Sequence, residues 1–199
     1  MAKDFLTAVA ERRSHYAIGN KAVTSDERII DVLEQAVLHA PSAYNSQSTR
    51  VVLLLGKHHE RLWTILMDIM RAKLSAEKFP RTEQKIKGFM AGYGTVLFFE
   101  DTDVVQGLVE KFPTYADNFR NWSLQGAGIM EYIVWTALEA EGYGASLQHY
   151  NELIADAVAK EWDLPVSWRL DAQMPFGNIE TKPGEKSFQP VDTRLKIFK

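Results

Sequence analysis

The stretch from Trp122 to Glu141 constrains the fold more than any other part of the chain. It reads as the longest helix, capped by Asn121 and stopped by Gly142. Its opening, Gln125-Gly126-Ala127-Gly128, is too small to fill a core by itself. Glycine costs a helix ~1 kcal/mol relative to alanine, so two within one turn predict close approach by another backbone.

The other elements surround this helix without regular alternation. Asp4 to Arg12 reads as a short amphipathic helix. Thr24-Ser25-Asp26-Glu27 has capping-box spacing, and Ile29, Ile30, Leu33, Val37 and Ala40 follow at helical intervals until Pro41 ends the run. Thr49 to Leu55 and Thr95 to Phe99 read as buried strands, with a helix marked by Leu62, Ile65, Leu66, Ile69 and Met70 between them. Ala145 to His149 predicts a strand, Leu153 to Lys160 a helix, and Val166 to Met174 a last strand. The mixed order predicts an α+β sandwich rather than a doubly wound parallel sheet. With 199 residues, no repeat and no linker, the chain is expected to form a single domain over residues 1–199.

Composition narrows the chemistry. A net charge of −3 argues against a nucleic-acid or anionic-membrane partner. The longest apolar cluster, Val51 to Leu55, is far short of the ~20 residues that span a bilayer. Met1-Ala2-Lys3-Asp4-Phe5 lacks a basic segment followed by an apolar one, so a cytoplasmic location is expected. There is no cysteine, which excludes disulfides, thiolate catalysis and sulfur-ligated zinc. His58 and His59 are adjacent, and His15, His39 and His149 are scattered, so no metal site is expected. An enzyme made from this chain must borrow its redox chemistry from a bound cofactor.

Three segments could hold one. Arg12-Arg13-Ser14, where the first helix ends, offers two guanidiniums and a hydroxyl to a phosphate, although paired arginines also suit a helix C-terminus as solvated charges. Pro41-Ser42-Ala43-Tyr44-Asn45-Ser46-Gln47 joins a helix to a buried strand, and its amides present both donors and acceptors; a ligand-free Asx turn fits equally. Gly142-Tyr143-Gly144-Ala145-Ser146-Leu147-Gln148-His149 allows close backbone approach to a flat ring, or simply a helix stop followed by a strand. The tryptophans are core residues by default, while Trp122 and Phe119 could border a bound ring.

Taken in order, these segments resemble the nitroreductase family of flavoproteins. The ordered set is an early Arg-x-Ser, a Pro-Ser-x-x-Asn-Ser-Gln loop, a long helix ending in Gly-x-Gly, and a late basic residue before a proline. The short chain, with Gly92 to Asp101 and Ser146 to Tyr150, resembles the family's compact yeast-type subgroup. The resemblance implies a nitroreductase-like α/β sandwich with a mainly antiparallel central sheet flanked by helices. It also implies a homodimer that exchanges C-terminal tails and binds FMN. Arg12, Arg13 and Ser14 would hold the FMN phosphate and ribityl chain. Pro41, Ser42, Asn45 and Gln47 would reach the flavin from the other subunit, with Arg50 assisting. The backbone around Leu147 and Gln148 would offer a donor to flavin N5, and Lys186 would bind the phosphate. Two departures stand out. Phe188 and Tyr16 occupy positions where relatives often carry an arginine and a lysine, and Lys85 or Lys87 could supply the second charge.

The resemblance therefore implies an oxidoreductase that takes hydride from NAD(P)H and passes it to a small aromatic acceptor, a nitroaromatic or a quinone, by a ping-pong cycle. No acid-base catalytic side chain is expected. No G-x-G-x-x-G signature is present, so a separate Rossmann domain is not expected. Two other readings remain open from sequence: a flavin-binding regulatory protein, and a flavin-free nucleotide-phosphate site. The small surface Gly126-Ala127-Gly128 and the apolar tail Leu195, Ile197 and Phe198 are expected at the dimer interface.

Overall fold

The segment Gly94-Thr95-Val96-Leu97-Phe98-Phe99 is apolar on both faces of its pleat, which predicts a strand covered on both sides. The computed structural model, which describes residues 3–199, builds the molecule around it. The helices are α1 (Phe5–Glu11), α2 (Asp26–His39), α3 (Lys57–Lys73), α4 (Phe79–Met90), α5 (Thr102–Lys111), α6 (Ala116–Ala140) and α7 (Asn151–Glu161). The strands are β1 (Ile18–Gly19), β2 (Thr49–Leu55), β3 (Gly94–Asp101), β4 (Tyr143–Ala145) and β5 (Trp168–Ile179). Every named pairing is antiparallel: the order is β1-β5-β3-β2, and β4 also pairs with β5.

Two apolar layers enclose this sheet. Val96 and Phe98 of β3 pack with Ile29 and Leu33 of α2 and with Met130, Val134 and Leu138 of α6. Leu97 and Phe99 face the other way, onto Leu62, Trp63 and Leu66 of α3, Phe89 of α4 and Ile154 of α7. Helices on both faces of a largely antiparallel sheet make the α+β sandwich read from the sequence. Strand β5 changes face midway. Phe98 pairs with Ala172 and Phe99 with Leu170, which leaves Asp171 as an extra residue in a bulge. The bulge lets Leu170 join one core and Ala172 the other.

The structure corrects several sequence expectations. Helix α6 starts at Ala116, so Asn121 lies inside it; the turn Pro113–Tyr115 runs straight into the helix, with Tyr115 at its N-cap. Ser25, not Thr24, caps α2, accepting from the Arg28 N–H at 3.3 Å, and the Thr24 hydroxyl is buried without a partner. Strand β4 covers Tyr143–Ala145 rather than Ala145 to His149. Beyond it Ser146 donates to the Pro175 carbonyl of β5 at 3.2 Å, and Gln148 exchanges two backbone hydrogen bonds with Gln173 at 2.7 and 2.9 Å. Helices α4 and α5 had no expectation at all. Gly126 and Ala127 are buried against their own chain, and of that trio Gly128 alone faces outward, so the small residues do not form one surface.

His59 shows what a buried histidine does when it is not a ligand. Its Nδ1 lies 2.8 Å from the Thr95 hydroxyl and its Nε2 3.1 Å from the Met90 carbonyl, while Trp63 Nε1 donates to the same hydroxyl at 3.0 Å. Burial holds its pKa below the ordinary histidine value. Three polar side chains thus satisfy one another inside the α3–β3 layer.

Candidate flavin site

Arg12, Arg13 and Ser14 leave α1 at its C-terminus and run beside β4. Ser14 bridges to Ala145, and the His15 N–H donates to the Ala145 carbonyl at 2.9 Å. This pairing sets the arginines next to the segment that carries Leu147 and Gln148. The Arg12 guanidinium lies 4.4 Å from the centre of the Trp135 ring on α6, a stacking that fixes its plane. Arg13 donates to the Gly184 carbonyl at 2.9 Å, which brings the segment bearing Lys186 to the same corner. Lys186 itself extends over the Phe188 ring at 5.3 Å. Among the described residues none of these three cations has a carboxylate partner.

The backbone beside them is equally available. Ser146 and Gln148 donate their N–H groups to Pro175 and Gln173, whereas the Leu147 N–H between them has no acceptor among the described residues. Gln148 is buried with its side-chain amide on the Ser146 hydroxyl at 3.1 Å, so Gln148 positions the turn and Leu147 presents the free donor.

The Pro41–Gln47 loop sits elsewhere. Tyr44, Asn45 and Gln47 have φ of 55°, 50° and 50°. Three non-glycine residues in the left-handed region mark a loop held under strain by its surroundings. The restraints are visible. Ser42 Oγ accepts from the Gln47 N–H at 2.9 Å, and Arg50 donates to the Gln47 carbonyl while pairing with Asp101 at 2.9 Å. The Tyr44 ring packs on Phe119 and Trp122 of α6 at 5.2 and 6.0 Å between centres. Pro41, Ser42, Gln47, Arg50, Gly126 and Trp168 line a cavity of about 260 Å³ here.

The sequence-predicted residues therefore fall into two groups. Arg12, Arg13 and Ser14 run beside the segment that carries Leu147 and Gln148, with Arg12 on Trp135 and Lys186 two residues beyond the Gly184 that Arg13 holds. Pro41, Ser42, Asn45, Gln47 and Arg50 make up the other group, against Gly126. The two contact points on α6 are about 13 Å apart along its axis at 1.5 Å per residue. Within one chain the groups do not meet.

Some contributors were not singled out from the sequence. Trp135 and Trp168 look like core aromatics, and only the structure places one under Arg12 and the other beside the Pro41 loop. Asp101, the anchor of Arg50, gave no signal because its partner is 51 residues away. Phe119 and Trp122 pack on Tyr44 of this loop, so they sit with the second group.

The donor set fits FMN. Unpaired cations suit a phosphate, the free Leu147 N–H suits a ring nitrogen, and the strained amide loop suits a polar ring edge.

Known proteins resemble the chain over most of its length. The sequence profile of the Nitroreductase family matches residues 9–178. The nitroreductase FRM2 of Saccharomyces cerevisiae is 30% identical over 190 residues, covering 93% of each chain. Nitroreductase CinD of Lactococcus lactis, solved with chloramphenicol and with 4-nitrophenol, is 44% identical, with TM-scores of 0.90 and 0.89. The alignment covers 98% of this chain and all of CinD. An Exiguobacterium sibiricum protein solved with FMN shares the fold at a TM-score of 0.72 and 15% identity, over 100% of this chain and 99% of that one.

Proposed function

The chain belongs to the nitroreductase family, and on that premise we propose that it is an FMN-dependent oxidoreductase that reduces nitroaromatics or quinones with NAD(P)H by a ping-pong cycle. The observation that supports this reading is that Arg12 and Arg13, without carboxylate partners among the described residues, lie on the strand-like segment paired with Ala145, two residues before the free Leu147 N–H. Bound FMN supplies the electron-carrying chemistry, and the chain's residues hold and orient it. Arg12, Arg13 and Lys186 would neutralise its phosphate, Ser14 would support the ribityl chain, and the backbone N–H of Leu147 would offer a donor to N5. Chloramphenicol and 4-nitrophenol bound to CinD support a small aromatic acceptor. The cytoplasm is the proposed setting for this reaction.

The site is completed by a second copy. Strand β2 is an edge of the sheet, and beside it Ile30, Leu33, Val37 and Leu38 of α2, with Val51 and Leu53, line an apolar groove of about 410 Å³. Leu195, Ile197 and Phe198 of the tail are 53%, 69% and 94% exposed in the single chain, so the tail does not pack on its own core. Exchanged tails would fill these grooves, and a C2 pair would carry the Pro41–Gln47 loop of one chain to the Arg12–Ser14 corner of the other. Asn45 and Gln47 would then face the ring across the interface, with Pro41, Ser42 and Arg50 fixing the loop.

Steady-state turnover with NADH and NADPH against nitrobenzene and a naphthoquinone tests the activity. Saturable reduction with parallel double-reciprocal lines is expected. A protein that binds FMN but does not turn over would support a regulatory role instead.

A further inference from the structure

His15 directly follows Ser14 and is buried, yet the fold gives its ring nothing to bond. It is 4% exposed, and neither Nδ1 nor Nε2 has a hydrogen-bond partner among the described residues. His59 differs, because both of its ring nitrogens have one. The His15 ring has little room to swing away. Its backbone N–H is held by the Ala145 carbonyl at 2.9 Å, and a Cβ on Gly144 of β4 would lie only 2.8 Å from His15 Cβ and Cγ.

Charged groups from several elements face this ring. From α6, Glu139 Oε2 lies 3.7 Å from His15 Nε2, and that carboxylate is itself only 3% exposed. Its other oxygen takes Lys3 Nζ at 2.6 Å, and Lys3 also reaches Glu11 of α1 at 2.8 Å. Arg12 and Arg13 precede His15 in the chain. Lys182, beyond β5, joins Lys3, Glu11, Arg13 and Glu139 around a cavity of about 340 Å³ that His15 borders. A protonated ring would donate to Glu139 after a small approach, whereas the cations oppose a charge there. Burial first, then the charges of Arg13, Lys3 and Arg12, outweigh Glu139 and hold the His15 pKa below the ordinary histidine value.

A bound phosphate changes this balance. Arg12 and Arg13, which oppose a charge on His15, are also the cations assigned to the FMN phosphate, and a dianion beside them offsets their effect on the ring. Linkage is reciprocal, so a ligand that makes a group easier to protonate binds more tightly once the group is protonated. Resting on the proposed flavin site, we infer that His15 is a positioning residue that couples FMN binding to the uptake of a proton. The protonated ring ties the Arg12–Ser14 segment to α6 through Glu139, and FMN affinity gains from His15 as pH falls through its titration.

The test measures FMN affinity by fluorescence titration from about pH 8.5 to about pH 5, in wild type and in His15→Gln. The FMN phosphate takes up its own proton near pH ~6, equally for both proteins, so the ratio of their affinities isolates His15. The two should agree at high pH, and the ratio should then rise roughly three- to tenfold in favour of wild type at low pH. In wild type with labelled histidine, NMR should show the His15 ring midpoint moving up by about 0.5–1 pH unit when FMN is added. Should the variant bind no FMN, the wild-type midpoint alone decides. A midpoint that FMN leaves in place, or a ratio that is flat with pH as mere packing would give, overturns the proton link alone. A protein that takes up no FMN at any pH overturns the function and this link together.

Discussion

Arg12 stacks on Trp135 and has no carboxylate partner among the described residues, so its charge is available to a phosphate. Replacing it with Ala should remove a charge-assisted contact of roughly 1.5–3 kcal/mol and weaken FMN binding about tenfold or more. Lys186→Ala should act in the same direction but less, because Arg13 is tied to the adjoining Gly184 and remains. Fluorescence titration of FMN checks both, and unchanged affinities in the two variants would remove the phosphate assignment. Glu131 on α6 makes a different kind of prediction. Burial, reinforced by the charge of Asp171, pushes its pKa up to about 7. A folded-state pKa above the unfolded one gives stability that is full below the ordinary carboxylate range and lost as pH rises through about 7. Glu131→Gln should therefore raise Tm relative to wild type at pH 8.5 and change it little at pH 5. Scanning calorimetry at the two values reads this directly, and a gain confined to pH 5 would contradict it.

Elements differed in how well the sequence announced them, and the differences have physical causes. Strand β2 matched its expected limits, Thr49 to Leu55, because a continuous apolar run bounded by polar residues has one solution. The buried part of β3 was legible for the same reason. Helix α4 was not, since Lys78, Pro80, Arg81 and Lys85 mask the two apolar residues, Ile86 and Phe89, that it buries. The bulge at Asp171 was hidden too, because only the pairing with β3 reveals the change of face. For the site, the segments carrying Arg12 to Ser14, Pro41 to Gln47 and Leu147 were visible as motifs. Their division into two groups along α6 was not, because that depends on packing between distant residues. Gly177 of β5 gives a test of the element scale. A Cβ there would run into the Gly19 carbonyl oxygen of β1 and lie 3.0 Å from the Tyr93 nitrogen, and both obstacles are backbone. Gly177→Ala should cost about 2–4 kcal/mol. A urea midpoint equal to that of wild type would show that β1 can move aside.

At the scale of the whole molecule, the single chain leaves two things unfinished. Its tail is apolar and uncovered, and its two groups of candidate site residues are separated along α6. The proposed two-fold pair would resolve both with one operation, so assembly and cofactor binding should be linked. Deleting Leu195 to Lys199 should lower the mass by light scattering from dimer to monomer and reduce flavin content in parallel. A truncated protein that stays dimeric with full flavin would return the tail to a minor role. The visible spectrum of the purified, FMN-reconstituted protein under anaerobic conditions decides whether this chain is an FMN-dependent oxidoreductase. A flavin band near ~450 nm at one FMN per chain, bleached by NADH or NADPH and restored by a nitroaromatic acceptor, is expected. A colourless protein that cannot be reconstituted, or a band that neither reduced nucleotide bleaches, would contradict it.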